Sequence, residues 1–293
     1  MPFLTDAKGQ VRRLKMKKNT AWSGKFIVIS GGSSGIGLAL AEALARQGAH
    51  VWLVARRTEL LEEALQRLRS QSISARQQFG FSSADLSDFG QAQAAAAEAL
   101  AILGRVDVLI NSVGAAHPGY VQDLPVQIFE WMMAANYFAP LYLTKALLPA
   151  FISQKSGHII NIASAAALLG VFGYSAYGAA KYALVGFSEV LRAEMKPHQI
   201  RVSIVFPPDT ETPQLEYENR YKPSETRAIS GTAAHLKPEQ VAQAILEQAA
   251  QGKYAIFPSR DVHLIALLVK LLPQRVVFAV LDALARKGQT GGG

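Results

Sequence analysis

Residues Phe26 to Gly48 read FIVISGGSSGIGLALAEALARQG, and they constrain the fold more than any other stretch of the chain. Phe26–Ser30 is an apolar, β-branched run of strand length. A glycine-rich turn follows at once, and then Leu38, Ala41 and Leu44 recur at helical spacing until Gly48. The same alternation repeats downstream. His50–Ala55 (HVWLVA) reads as a strand, Glu59–Arg69 as an amphipathic helix, and Phe79–Phe81 as part of a third strand. Gln91–Leu103 is an alanine-rich helix and Val106–Ile110 another buried strand. Repeated βα units of this kind predict an α/β fold built on a Rossmann-like, doubly wound parallel sheet.

The glycine turn has chemistry of its own. Glycine lets the backbone approach a pyrophosphate closely, and the N-terminus of the following helix offers N–H donors and a partial positive charge. Gly31, Ser33, Ser34, Gly35, Ile36 and Gly37 are therefore candidate cofactor-binding residues. The strand after the turn ends in Arg56-Arg57, where an NAD site usually carries a carboxylate for the ribose 2′-hydroxyl. A guanidinium suits a 2′-phosphate, so NADPH is expected over NADH. Arg57 reads equally as the solvated start of a helix, and Arg56 is the stronger candidate. Asp85-Leu86 follows the third strand, where an open α/β sheet presents its loops to a ligand.

A second constellation lies between His158 and Glu194. Ile159–Ala163 reads as a buried strand with Ser164 at its carboxyl end. From about Tyr174 the apolar period turns helical, with Ala180, Leu184, Phe187 and Leu191 on one stripe. Tyr177 and Lys181, four apart, emerge on one face of that helix. A phenol with an ordinary pKa near ~10 is a poor acid-base catalyst, and a nearby cation is expected to lower it. Upstream, Gln127–Phe151 is long, apolar and helical in period, with Asn136 inside it.

Gly31-x-x-x-Gly35-x-Gly37, Asp85, Asn111-x-x-Gly114, Asn136, Ser164 and Tyr177-x-x-x-Lys181 together resemble the short-chain dehydrogenase/reductase family, from about Lys25 to Pro258. The resemblance implies that Tyr177 is the general acid in ketone reduction, and that Lys181 lowers its pKa and holds the nicotinamide ribose. It implies that Ser164 bonds the substrate carbonyl and that Asn136 positions a water in the proton relay. Asp85 would bond near the adenine, Asn111 and Gly114 would line the cofactor, and Pro207 and Thr212 would contact the nicotinamide end. Ser30 and Ser112-Val113 depart from the family's commoner threonine and Asn-Ala, with small side chains kept.

Arg201–Phe206 is another strand, and a charged segment, Pro207–Ser230, follows it. Its Pro-Pro-Asp-Thr-x-Thr-Pro, Glu218-Asn219-Arg220 and Lys222-Pro223-x-Glu225-Thr226-Arg227 runs resemble the subfamily that reduces a long-chain ketosphingoid base. That implies NADPH-dependent conversion of 3-dehydrosphinganine to sphinganine in sphingolipid synthesis, with a lid closing over the site. Glu211, Glu216, Glu218 and Glu225 put carboxylates beside a substrate that carries an ammonium group, or pair with Arg220, Lys222 and Arg227. The alternatives are a reductase of another lipophilic ketone and a silent NADP(H)-binding module.

Three divisions are expected: a basic segment (1–22), an NADP-binding domain (23–260) and an apolar helical extension with a Gly-rich tail (261–293). The domain part ends in a helix, Pro238–Gln251, and a strand, Lys253–Pro258. The net charge is +8, and six basic residues fall between Lys8 and Lys18. They suit a solvated segment or an anionic membrane surface. No aromatics interleave with them, so no nucleic-acid partner is expected. Cysteine is absent, which excludes disulfides and thiolate metal sites and fits a cytoplasmic location; no metal is expected. Val262–Ala285 is strongly apolar but broken by Lys270, Pro273 and Arg275, so neither half reaches the ~20 residues of a membrane span. It suits a helix pair in the membrane interface, lining a lipid path to the site, or at a core or dimer interface. The Gly-rich end, Gly288–Gly293, is expected to be disordered, and peripheral contact with the cytoplasmic face of a membrane and a homodimer or homotetramer are expected.

Overall fold

The computed structural model describes residues 3–5, 11–13, 20–231 and 235–290. Near the start, the backbones of β1 (Phe3–Thr5) and β2 (Val11–Arg13) pair antiparallel. The rest of the basic run from Lys8 to Lys18 lies outside the described residues.

The α/β body begins with β3 (Phe26–Ser30), α1 (Gly35–Ala45), β4 (His50–Ala55) and α2 (Thr58–Ser70). It continues through β5 (Phe79–Ser83), α3 (Phe89–Leu103) and β6 (Val108–Asn111). Next come α4 (Val126–Met133), α5 (Ala139–Gln154), β7 (Gly157–Ile162), α6 (Ser175–Met195) and β8 (Ile200–Val205). Two short helices, α7 (Pro213–Tyr221) and α8 (Ser224–Ser230), precede α9 (Pro238–Ala250) and β9 (Ala255–Ile256). The chain closes with α10 (Arg260–Leu271) and α11 (Gln274–Thr290).

Seven strands form one parallel sheet in the order β5-β4-β3-β6-β7-β8-β9. Alternation along β3 sends Ile27 and Ile29 to one face and Val28 to the other. The first face packs Leu40, Leu44, Leu61, Leu68 and Ile245 from α1, α2 and α9. The second packs Ala96, Leu143, Leu147, Phe151 and Leu191 from α3, α5 and α6. Each fully buried leucine contributes about 2 kcal/mol of transfer free energy, so both helical layers are held by burial, and the result is a Rossmann-like single domain with C-terminal helices attached. The order of the sheet reverses between β3 and β6, whose first turns run to opposite sides. Their carboxyl ends open a crevice there, where such sheets bind ligands.

Two elements differ from the expectation. The helix expected over 127–151 is two helices joined by a turn of π-helix, Ala134–Phe138, in which Ala139 N–H donates to the Ala134 carbonyl. Pro140, in the first turn of α5, has no N–H to offer the Asn136 carbonyl four residues back, so an ordinary α-turn cannot close. The 262–285 segment is a helix pair broken at Pro273, as its sequence implied. Gly288, however, is not in a disordered tail. It is helical and lies on α8, where a Cβ would stand 2.6 Å from the Ser224 carbonyl oxygen, and Gln289 Nε2 donates to Glu225 at 3.0 Å. Residues 291–293 lie outside the described residues. Among the described residues no helix is long and apolar enough to cross a membrane.

Candidate active site

The glycine turn closes around itself. Gly31 has φ +67° and sits so near the β6 turn that a Cβ would be 2.7 Å from the Ser112 carbonyl oxygen. On Gly37 a Cβ would be 2.2 Å from the Gly31 carbonyl oxygen. No side chain is tolerated at either point. Ser34 is the N-cap of α1, yet its side chain makes no capping bond, which leaves helix N–H donors available to an anion. These residues fit the pyrophosphate of a dinucleotide.

One cavity of about 920 Å³ runs along this crevice. Gly31, Ser33, Ser34, Gly35 and Ile36 line it, as do Arg56, Arg57, Asp85, Leu86, Gly114, Ser164, Tyr177, Lys181, Pro207 and Thr212. Arg56 and Arg57 are exposed at the carboxyl end of β4. Partial burial pushes the Asp85 carboxyl up, but two hydrogen bonds from Ser87 and the Arg56 charge outweigh it and hold the group below its ordinary value. Thr212 caps α7 and overhangs the glycine turn, 3.1 Å from where a Gly35 Cβ would stand.

Three sequence candidates stand behind the wall rather than on it: Gly37, Asn111 and Asn136. Asn111, expected to line the cofactor, is fully buried. Its Nδ2 donates to Asn161 Oδ1 (2.9 Å) and Thr144 Oγ1 (3.0 Å), and its Oδ1 accepts from Ser30 Oγ at 3.3 Å. It ties β3, β6 and β7 together beneath the site. Asn136, expected to position a water, is also fully buried. Its Nδ2 donates to the Ala115 and Met132 carbonyls at 2.8 and 3.0 Å, and its Oδ1 accepts from Ala115 N–H at 3.3 Å. In this arrangement it fixes the backbone after Gly114, and the π-turn aims it there.

Tyr177 and Lys181 lie on the buried face of α6. Lys181 Nζ donates to the Ile162 carbonyl at 2.9 Å and stands 5.9 Å from the centre of the Tyr177 ring. Burial lowers the Lys181 ammonium to about 8, with the Glu218 charge opposing. The phenol behaves differently from the expectation. Burial, and next the Glu218 charge, push Tyr177 above its ordinary value, and hydrogen bonds with Ser164 and Gln214 only partly offset them. With the ammonium turned to a carbonyl, desolvation wins and the phenol is held protonated.

Of the four lid glutamates, only Glu218 lines the cavity, together with Asp209. Glu211 and Glu216 are exposed, and Glu225 accepts from Tyr120, Ser224 and Gln289 outside it. Tyr174 and Gln214, both bonded to Glu218, were not singled out by the sequence. The i, i+4 spacing of Gln214, Glu218 and Lys222 on α7 was the available signal. The far end of the cavity is apolar, formed by Ile265, Val269, Val277, Leu281 and Leu284 of α10 and α11. Among the described residues no acid or histidine cluster could hold a metal.

A family model described as short chain dehydrogenase matches residues 25–222. The chain is 38% identical over 252 residues to a 3-ketodihydrosphingosine reductase of Bos taurus, covering 86% of this chain and 76% of that protein. It is 32% identical over 282 residues to a dehydrogenase/reductase SDR family member 7B of Xenopus laevis, covering 93% and 85%. A solved short chain dehydrogenase/reductase from Burkholderia phymatum, in complex with NAD, shares the fold. Its TM-score is 0.75 at 24% identity, with 85% of this chain and 93% of that one covered.

Proposed function

This chain belongs to the short-chain dehydrogenase/reductase family, and from that premise we propose that it reduces 3-ketodihydrosphingosine (3-dehydrosphinganine) to sphinganine with NADPH. The observation that carries this reading is the continuity of the cavity. It joins a glycine-lined crevice, the buried Tyr177 with half-buried Ser164, and an apolar sleeve from α10 and α11. A ketone with a polar head and one long alkyl tail matches that sequence of surfaces. The name of the bovine relative points to the same substrate.

When bound, NADPH supplies the hydride that adds to the ketone carbon. Tyr177, protonated at neutral pH, gives its proton to the ketone oxygen, so hydride and proton together complete the alcohol. Ser164 bonds the same oxygen and fixes its direction. Lys181, with its ammonium beside Gly114, would hold the ribose hydroxyls, and Arg56 and Arg57 would hold the 2′-phosphate. Asp85 and Leu86 would border the adenine, and Pro207 and Thr212 the nicotinamide. The purified protein in detergent micelles should consume NADPH when 3-ketodihydrosphingosine is added, and faster than with a 3-oxoacyl thioester. Turnover of the thioester alone would reassign the substrate while keeping the reaction class.

The reading extends to peripheral contact with the cytoplasmic face of a membrane. Support comes from Leu264, Leu267 and Leu271 on α10 and Phe278 on α11, which are 57%, 46%, 79% and 51% exposed on the outside of the sleeve. Lys270 and Arg275 flank them, as suits an anionic interface. In a flotation assay the protein should rise with vesicles containing phosphatidylserine, and Leu271→Asp with Phe278→Asp should leave it at the bottom. Equal flotation of the variant would remove this part of the proposal.

A further inference from the structure

The lid carries a buried carboxylate whose nearest ammonium is shared with a second acid. Glu218 is 5% exposed on α7, and its oxygens accept from Tyr174 Oη at 2.7 Å and Gln214 Nε2 at 2.9 Å, both neutral donors. Lys222 Nζ stands 4.0 Å away and is engaged at 2.7 Å by Asp209. Glu218 and Asp209 thus share the Lys222 ammonium; His235 stands 3.8 Å from Asp209 and the Lys181 charge interacts with Glu218, while the hydrogen bonds to Glu218 come from Tyr174 and Gln214. A carboxylate is expensive to bury, and this one lies on the cavity wall, where a cationic ligand can reach it. Burial, despite the two donors and the Lys222 charge, holds the Glu218 carboxyl above its ordinary value.

The position of that charge is informative. Gln214 is bonded to Glu218, and both Gln214 and the Glu218 charge act on the Tyr177 phenol, so carboxylate and phenol are neighbours. Tyr174, the other donor, places its ring 5.3 Å from that of Tyr177, tilted at 55°. Phenol and carboxylate face the same cavity, as two substrate atoms on neighbouring carbons would require. The ketone oxygen and the ammonium nitrogen of an α-amino ketone are such a pair.

We propose that Glu218 receives the substrate's ammonium group and thereby makes the site selective for α-amino ketones. The proposal rests on the reading of this cavity as a ketone reductase site. Tyr177 and Ser164 hold the ketone oxygen while Glu218 holds the adjacent nitrogen. Two fixed points and the alkyl tail in its sleeve determine which face of the ketone is presented to the cofactor. Gln214 and Tyr174 are positioning residues that orient the carboxylate.

The test compares 3-ketodihydrosphingosine with its desamino analogue, the same hydroxyketone with hydrogen in place of the ammonium group. Wild type should prefer the amino ketone in kcat/KM by on the order of 100-fold, as expected for loss of one member of a buried charge pair. In Glu218→Gln that ratio should collapse toward unity, with the change mainly in KM for the amino ketone. A ratio near unity in wild type overturns the proposal without any variant, and so does an unchanged ratio in Glu218→Gln. Should wild type reduce neither ketone while retaining NADPH binding, the broader reading of the cavity fails instead.

Discussion

Tyr177→Phe should lower kcat on the order of 10³-fold, the range expected when a positioned general acid is removed. The phenyl ring keeps the volume of a side chain that is only 7% exposed, so the core around α6 loses no packing. What disappears is one proton donor. In the wild type, burial and Glu218 hold that donor protonated, which suits the direction of ketone reduction. NADPH affinity, measured by fluorescence titration, should stay within a few-fold of wild type. Retention of more than about a tenth of kcat would show that another group delivers the proton.

Arg56→Ala should weaken NADPH by about 2 kcal/mol, roughly 30-fold, because charge-assisted hydrogen bonds to a phosphate are of that size. NADH, which lacks the 2′-phosphate, should be affected only a few-fold. Both cofactors are compared by their dissociation constants at one ionic strength, since Arg56 is exposed and its charge is screened by salt. Equal losses would place Arg56 outside the phosphate site. The neighbouring Arg57 adopts the extended N-cap conformation of α2, so its backbone already has a structural task.

Local signals foretold most of the fold. Every strand of the parallel sheet was visible as a short apolar run, and the glycine turn between β3 and α1 was visible because its geometry excludes side chains at Gly31 and Gly37. Tyr177, Lys181 and Ser164 converge because spacing within one helix and the end of one strand fixes them. Asn111 and Asn136 illustrate what spacing omits. Both lie beside the site in sequence, yet their amides are consumed by long-range partners on other strands and loops. The π-turn at Ala134–Phe138 depends on a missing N–H at Pro140, which a helical period does not reveal. Tyr177 lies above its ordinary value rather than below it for a similar reason: desolvation belongs to the folded whole, and the Glu218 charge comes from a separate helix.

Gly288 and Gln289, on the last helix, sit against Ser224 and Glu225 of the lid, the latter contact spanning 64 residues of sequence. The roof of the cavity and its apolar wall are therefore one mechanical piece. A displacement of α8 would have to carry α11, and with it part of the sleeve, or break this contact. The tail channel and the polar centre would then open in one movement, letting an amphiphile of the kind proposed leave sideways without threading its chain past Tyr177.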